Sequence, residues 1–425
     1  NSMGDLKGFT MGRFRQGSIF RHVAAVTERV IFIGFTAQIG LGAVWMCINF
    51  DKVQDFGWGN LGRTEPEGVI YTLYSFLGGI PQLLYLAQLA FAFFAGYRFL
   101  SAAGRLSARS GHPFGQKPAF YFWGSLCLLT FPFAMQCHLA VLPYSAMGSL
   151  FLLMLSFLLE AVFGGGGKKA LGRMRMGRLS LAVVCGVLAV ILALEAGAEE
   201  RDAIWGRGAG AAMASRMAWP SVWNDRGYWS EELRELTSEE ELWQATYCPG
   251  NMEIVLEAIE ERAGDGAQEA YREMAQTAWR LRRPMILRQI AWDALGYAAF
   301  PLIFPIQLEG RMYDSYTGRN YEVMREHAPA LTGHYVRYCC WWFACCLGLA
   351  ALLSLVRLLQ GGIGRPQILG AGLCALIGAL LSLAYTMRGA GLMDYRCTVA
   401  LSQLWLAWAV LGAGGAVDGS GAGGA

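Results

Sequence analysis

Residues 145–194 read "SAMGSLFLLMLSFLLEAVF" (145–163), then "GGGGKKALGRMRMGR" (164–178), then "LSLAVVCGVLAVILAL" (179–194). Two apolar runs flank a stretch that carries Lys168, Lys169, Arg173, Arg175 and Arg178 and no acid. A bilayer core about 30 Å thick takes about 20 apolar residues per helix. Basic residues concentrate in short loops on the cytoplasmic side. Apolar, basic, apolar therefore reads as two membrane helices joined on the inside.

The rest of the chain repeats the theme. Its 425 residues are 55% hydrophobic and only 16% charged, against about 25% charged in an average soluble domain. Windows of spanning length fall at Val30–Phe50, Ile80–Leu100, Ala119–Ala140, Ser145–Phe163, Leu179–Leu194, Tyr338–Leu358, Ile368–Thr386 and Thr398–Ala413. The first has no small-residue cleavage site behind it and reads as a retained span. The expected fold is all-α: a polytopic membrane helix bundle of about eight spans with a small helical extracytoplasmic domain. Residues 1–195 form a module of five spans, 196–337 a helical cap and polar loop, 338–413 a module of three spans, and 414–425 a linker-like tail.

Orientation follows from the loops. Lys7, Arg13, Arg15 and Arg21 precede the first span, and Arg98, Arg105, Arg109 and Lys117 lie in the 98–117 stretch at the end of the second. The 51–68 loop is acidic, with Asp51, Asp55, Glu65 and Glu67. This alternation expects a cytoplasmic N-terminus, a plasma-membrane location and an extracytoplasmic segment after Glu195. Eleven cysteines, most within or beside spans, read as small hydrophobes and show no metal-site spacing.

Residues 199–284 are the one sizeable polar region, with 17 acids and 10 bases. Ser238 followed by Glu241 predicts a capping box. "MEIVLEAIEER" at 252–262 is amphipathic, and Ala267–Arg283 repeats the pattern and is expected to stop at Pro284. Trp205, Trp219, Trp223, Trp229, Trp243 and Trp279 read as interfacial anchors or as platforms for sugar rings or an acyl chain. The segment 285–308 has spanning length, but Arg288, Gln289, Asp293, Pro301 and Pro305 favour a re-entrant or interfacial course. After it, Asp314, Arg319, Tyr321, Glu322, Arg325, His327, His334 and Arg337 crowd a short stretch that suits a phosphate or diphosphate. A solvated loop with internal ion pairs would use the same residues.

"LTFPFAMQCHLAVLPYSAM" (129–147) puts Gln136, Cys137, His138, two prolines and Tyr144 between two greasy runs. Such groups suit a turn facing a water-filled cavity, with His138 and Tyr144 at its rim. With "FDKVQDFG" after the first span and "TEPEGVIYTLY" before the second, residues 25–165 resemble the N-terminal module of GT-C class membrane glycosyltransferases, such as protein mannosyltransferases and bacterial lipid-A arabinosyltransferases. The resemblance implies inverting sugar transfer from a polyprenyl-phosphate donor at the outer face of a membrane. It implies Asp55 as general base, with Asp51 second, and Glu65 and Glu67 as alternatives or as ligands of a divalent metal. Arg319, Arg325 and His334 would hold the lipid phosphate, with His138, Tyr144, Tyr321 and Arg337 completing the substrate site. The family usually carries adjacent Asp-Glu in its first external loop, whereas Asp51 and Asp55 stand apart.

That departure keeps a non-catalytic binding or scaffold protein open as an alternative. A lipid or small-anion transporter is another, although no internal repeat is evident and few charges lie within the spans. Walker, dinucleotide and nucleophile-elbow motifs are absent, and the basic residues are those of inside loops, not of a nucleic-acid surface.

Overall fold

The computed structural model describes residues 68–109, 118–129, 143–163, 170–195, 199–247, 249–309, 365–390 and 397–414, with isolated positions at 344, 345, 348, 352 and 355. Among these residues there is no strand. The helices are α1 (Val69–Phe76), α2 (Pro81–Arg109), α3 (Pro118–Leu129), α4 (Tyr144–Phe163), α5 (Ala170–Glu195), α6 (Glu199–Gly206) and α7 (Ala209–Ala218). They continue with α8 (Val222–Asp225), α9 (Glu231–Glu235), α10 (Glu239–Ala245), α11 (Met252–Ala263), α12 (Ala267–Glu309), α13 (Arg365–Arg388) and α14 (Cys397–Gly414).

Among the described residues, four helices are long and apolar enough to cross a membrane: Leu83–Ser107 in α2, Tyr144–Phe163 in α4, Met174–Ala193 in α5 and Leu369–Arg388 in α13. A shorter apolar stretch, Ala400–Gly412, lies in α14. These fall on five of the expected windows, and α3 covers the first part of Ala119–Ala140. Val30–Phe50 and most of Tyr338–Leu358 lie outside the described residues.

α4 is the hub of the bundle, packed against α5, α2 and α14. Met147, Phe151, Leu152, Leu155 and Leu159 along it are at most 3% exposed. α14 is buried on all sides, as Leu401, Leu404, Leu406, Ala407 and Val410 show; a helix apolar all round belongs in an interior or a membrane. α5 is the reverse case. Its window is as apolar as that of α4 yet only 28% buried, leaving Val183, Val184, Val187, Leu188, Val190 and Ile191 exposed. Water would penalise so continuous an apolar face, and lipid would not.

Contacts set the helix directions. Gly186 of α5 faces Met154 and Arg178 meets Glu160, so α5 runs antiparallel to α4. Gly148 meets Ala400 and Gln403, which makes α14 parallel to α4. Gly370 at the start of α13 meets Leu106, Leu159 and Leu411, the later parts of α2, α4 and α14. The end of α2 and the start of α5, which border the two basic stretches, therefore share one end of the bundle.

Gly148 permits the close approach of α4 and α14, because a Cβ there would sit 3.1 Å from Gln403 Cγ and 3.6 Å from the Ala400 backbone. Small residues at such crossings let membrane helices pack by van der Waals contact. Gly148→Leu is expected to destabilise the bundle by about 1–3 kcal/mol, seen as a lower melting temperature in detergent. Gly177→Leu, at a position with nothing within 4 Å, should leave that temperature unchanged.

Residues 199–290 build a second apolar cluster around Leu242, Met252, Val255, Leu256, Ile259, Tyr271 and Met274. The capping box forms as expected: Ser238 Oγ accepts from the Glu241 amide at 3.2 Å, and Glu241 Oε2 accepts from the Ser238 amide at 2.8 Å. The tryptophans divide. Trp229 is buried, Trp219, Trp223 and Trp279 pack against the cluster, and only Trp205 and Trp243 are largely exposed. Most of the expected belt thus belongs to this small core.

The expected stop ahead of Pro284 is met within two residues: α12 is two helices joined across a kink, with Arg282 in a non-helical conformation (φ −124°, ψ 18°), and the second runs on to Glu309. Pro284 then falls in the first turn of the resumed helix, where no amide donor is needed and its fixed φ fits. Beyond the break α12 packs along α13 and α14, and Tyr297 joins the bundle core with its ring 5.9 Å from that of Tyr385.

The Glu241 carboxylate also accepts from Arg262 at 2.5 and 3.0 Å. These bonds, helped by those from Ser238, hold it below the ordinary carboxylate range despite partial burial. A depressed folded value gives stability that is present above the unfolded value of about 4.3 and is lost as pH falls through the folded one. Glu241→Gln should therefore be less stable than the parent at pH 7. The gap should close toward pH 3 in acid-unfolding curves followed by tryptophan fluorescence.

Candidate functional site

Three helices meet around one buried acid. Arg98 and Arg105 stand seven residues apart on α2, two turns and hence one face, with Ala102 between them. Glu160 lies near the end of α4, between Phe157 and Phe163, and Arg178 comes from α5. The Glu160 side chain is 9% exposed, in a helix otherwise without charge. An acid at such a depth needs partners, and it has three.

Arg98 Nη2 lies 3.5 Å from both carboxylate oxygens, Arg105 donates to Oε1, and Arg178 Nε lies 3.3 Å from Oε2. Arg178 also donates to the Glu160 carbonyl at 3.4 Å. Ser156 Oγ donates to the Arg98 carbonyl at 3.2 Å, and the Arg98 guanidinium lies 5.3 Å from the centre of the Phe157 ring. Beside these groups is a cavity of about 370 Å³, lined further by Ala102, Leu106, Phe157, Phe163 and Leu181. Three positive charges against one negative leave it cationic, with apolar walls. Such a site can hold an anionic group by bidentate, charge-assisted hydrogen bonds.

A second set of polar contacts lies at the other end of the bundle. Arg216 of α7, its side chain 4% exposed, pairs with Asp293 of α12 at 2.5 Å. Ser215 Oγ donates to the Ala390 carbonyl at 2.7 Å, Trp205 Nε1 to the Arg388 carbonyl at 2.7 Å, and Arg388 to the Ala193 carbonyl. These bonds tie the 199–290 region to the ends of α5 and α13. Glu160 is sixteen residues from Tyr144 along α4, about 24 Å, so the arginine cavity sits about a membrane's depth from this seam.

Of the residues expected to form a substrate site, Tyr144 is described. It opens α4 and is 1% exposed, inside the bundle core. Asp51, Asp55, Glu65, Glu67, His138, Arg319, Tyr321, Arg325, His334 and Arg337 lie outside the described residues. Among the described residues no three His, Cys, Asp or Glu side chains gather as a metal site. Cys127, Cys185 and Cys374 form no disulfide and are buried, in keeping with a packing role.

Sequence reasoning missed the Glu160 cluster. Its signals were a lone acid in an apolar run and two arginines at helical spacing. The arginines were already accounted for as inside-loop charges, and their convergence on Glu160 depends on three helices meeting. The chain matches no protein-family model, no curated protein and no solved structure.

Proposed function

We propose that this chain is an integral membrane glycosyltransferase of the GT-C type, moving a sugar from a polyprenyl-phosphate donor to an acceptor on the extracytoplasmic face. The membrane character rests on four spanning helices. The observation that supports the finer reading is the gathering at one bundle end of the start of α4, the ends of α5 and α13, and the 199–290 helical region. The starts of α4 and α14 both lie there. Charge distribution along the loops assigns that end to the outside, where a lipid-linked donor would be used.

In this reading Asp55 takes the proton from the acceptor hydroxyl as it attacks the sugar carbon, inverting it and releasing the lipid phosphate. Arg319, Arg325 and His334 offset the charge that develops on the leaving phosphate. The test is a transfer assay with purified full-length protein in nanodiscs, supplied with a polyprenyl-phosphate sugar. Saturable donor binding and label transfer are the expected result. Failure to bind any such donor would remove the enzyme reading.

A further inference from the structure

We propose that the cavity between Arg98, Arg105, Arg178 and Glu160 binds the phosphate group of an anionic membrane lipid, at the bundle end opposite the 199–290 region. This proposal does not rest on sugar transfer.

The first reason is stoichiometry of charge. One bidentate arginine is enough to neutralise a carboxylate, yet Glu160 draws three guanidinium groups. Cations held this close repel one another, and the excess is best relieved by a second anion. The second reason is access. The side chains of Arg98, Arg105 and Arg178 are 29%, 54% and 37% exposed, so they keep surface on the cavity side while Glu160 is covered. Guanidinium groups carry five donors each in a planar fork that matches phosphate oxygens.

The third reason is the wall opposite the charge. Leu106, Phe157, Phe163 and Leu181 line the cavity. Leu181 is 48% exposed on α5, on the same helix face as the exposed Val184 (51%) and Leu188 (45%) three and seven residues on. The cavity therefore opens onto the apolar flank of the helices, and a ligand with a phosphate head and acyl tails satisfies both surfaces. A position near the ends of α2 and α4 and the start of α5 is the depth at which lipid phosphates lie, and basic pockets between membrane helices hold such headgroups.

Native mass spectrometry of the delipidated full-length protein, titrated with phosphatidic acid, tests the assignment, with phosphatidylcholine and inorganic phosphate as separate arms. One phosphatidic acid should bind saturably, and phosphatidylcholine should bind far more weakly. Arg105→Gln and Arg178→Gln should each weaken binding on the order of tenfold. Arg105→Lys, which keeps the charge but loses the fork, should weaken it less. Glu160→Gln should tighten binding severalfold, because it raises the local excess from two positive charges to three.

That last variant separates ligand binding from simple pairing. If the arginines serve only to neutralise Glu160, its removal leaves phosphatidic acid binding unchanged or weaker, and the proposal falls. Equal binding by the parent and by the Arg105→Gln/Arg178→Gln double variant would also overturn it. Should the double variant fail to fold, Glu160→Gln and Arg105→Lys still decide. Displacement by inorganic phosphate at similar concentrations supports a phosphate site filled from solution, and displacement by the lipid alone supports a site filled from the bilayer.

Discussion

Arg216→Met is expected to destabilise the 199–309 region by about 3–5 kcal/mol, the usual cost of removing one member of a buried ion pair. Arg216 is held at 4% side-chain exposure against Asp293, 2.5 Å away. Without the guanidinium, Asp293 is left at 22% exposure without its partner, and burial, which already pushes its carboxyl up, then acts unopposed by Arg216. Because α7 and α12 pack along each other, the loss should loosen both. It should also loosen the neighbouring Ser215 and Trp205 bonds to the end of α13. The reading is protease sensitivity within 199–290 together with a lower unfolding temperature for this region, while the α2–α4–α5 packing persists. Arg216→Met combined with Asp293→Leu removes both charges and should recover most of the stability, since an apolar pair of similar volume avoids the desolvation cost. Equal damage from the double variant would mean that packing by the arginine stem, not its charge, is what holds the seam.

Under the glycosyltransferase reading proposed above, Asp55→Asn is expected to lower sugar transfer by about 10²–10⁴-fold, the range for loss of a general base, with donor affinity unchanged. Asparagine keeps the size and hydrogen-bonding reach of the side chain but cannot take a proton from the acceptor. The effect therefore belongs in turnover and not in donor binding. Asp51→Asn should cost much less. Transfer assays at saturating donor, paired with direct donor binding, distinguish the two. Full activity in both variants would show that neither aspartate is the base and would move the assignment to Glu65 or Glu67.

Much of the membrane architecture was legible in the chain. The windows at Ile80–Leu100, Ser145–Phe163, Leu179–Leu194 and Ile368–Thr386 each became a helix of spanning length, because burying apolar side chains and internally bonding the backbone are properties of one continuous segment. The Ser238–Glu241 box and the amphipathic run of α11 were legible for the same reason: their partners lie three or four residues away. The boundary near Pro284 was legible as well, because proline lacks an amide donor and crowds the turn before it, and the first helix of α12 breaks at Arg282. The tryptophans were misassigned in part, since composition cannot tell an interfacial ring from Trp229 packed into a small core.

Local terms in the sequence alone determined which segments are helical, which are apolar enough for lipid, and which caps close them. The tertiary structure decided which faces meet: Glu160 with Arg98, Arg105 and Arg178, and Arg216 with Asp293 across 77 positions. Hydropathy adds up over neighbours along the chain, whereas charge pairing depends on distance through space, and only close helix packing brings such groups within bonding range.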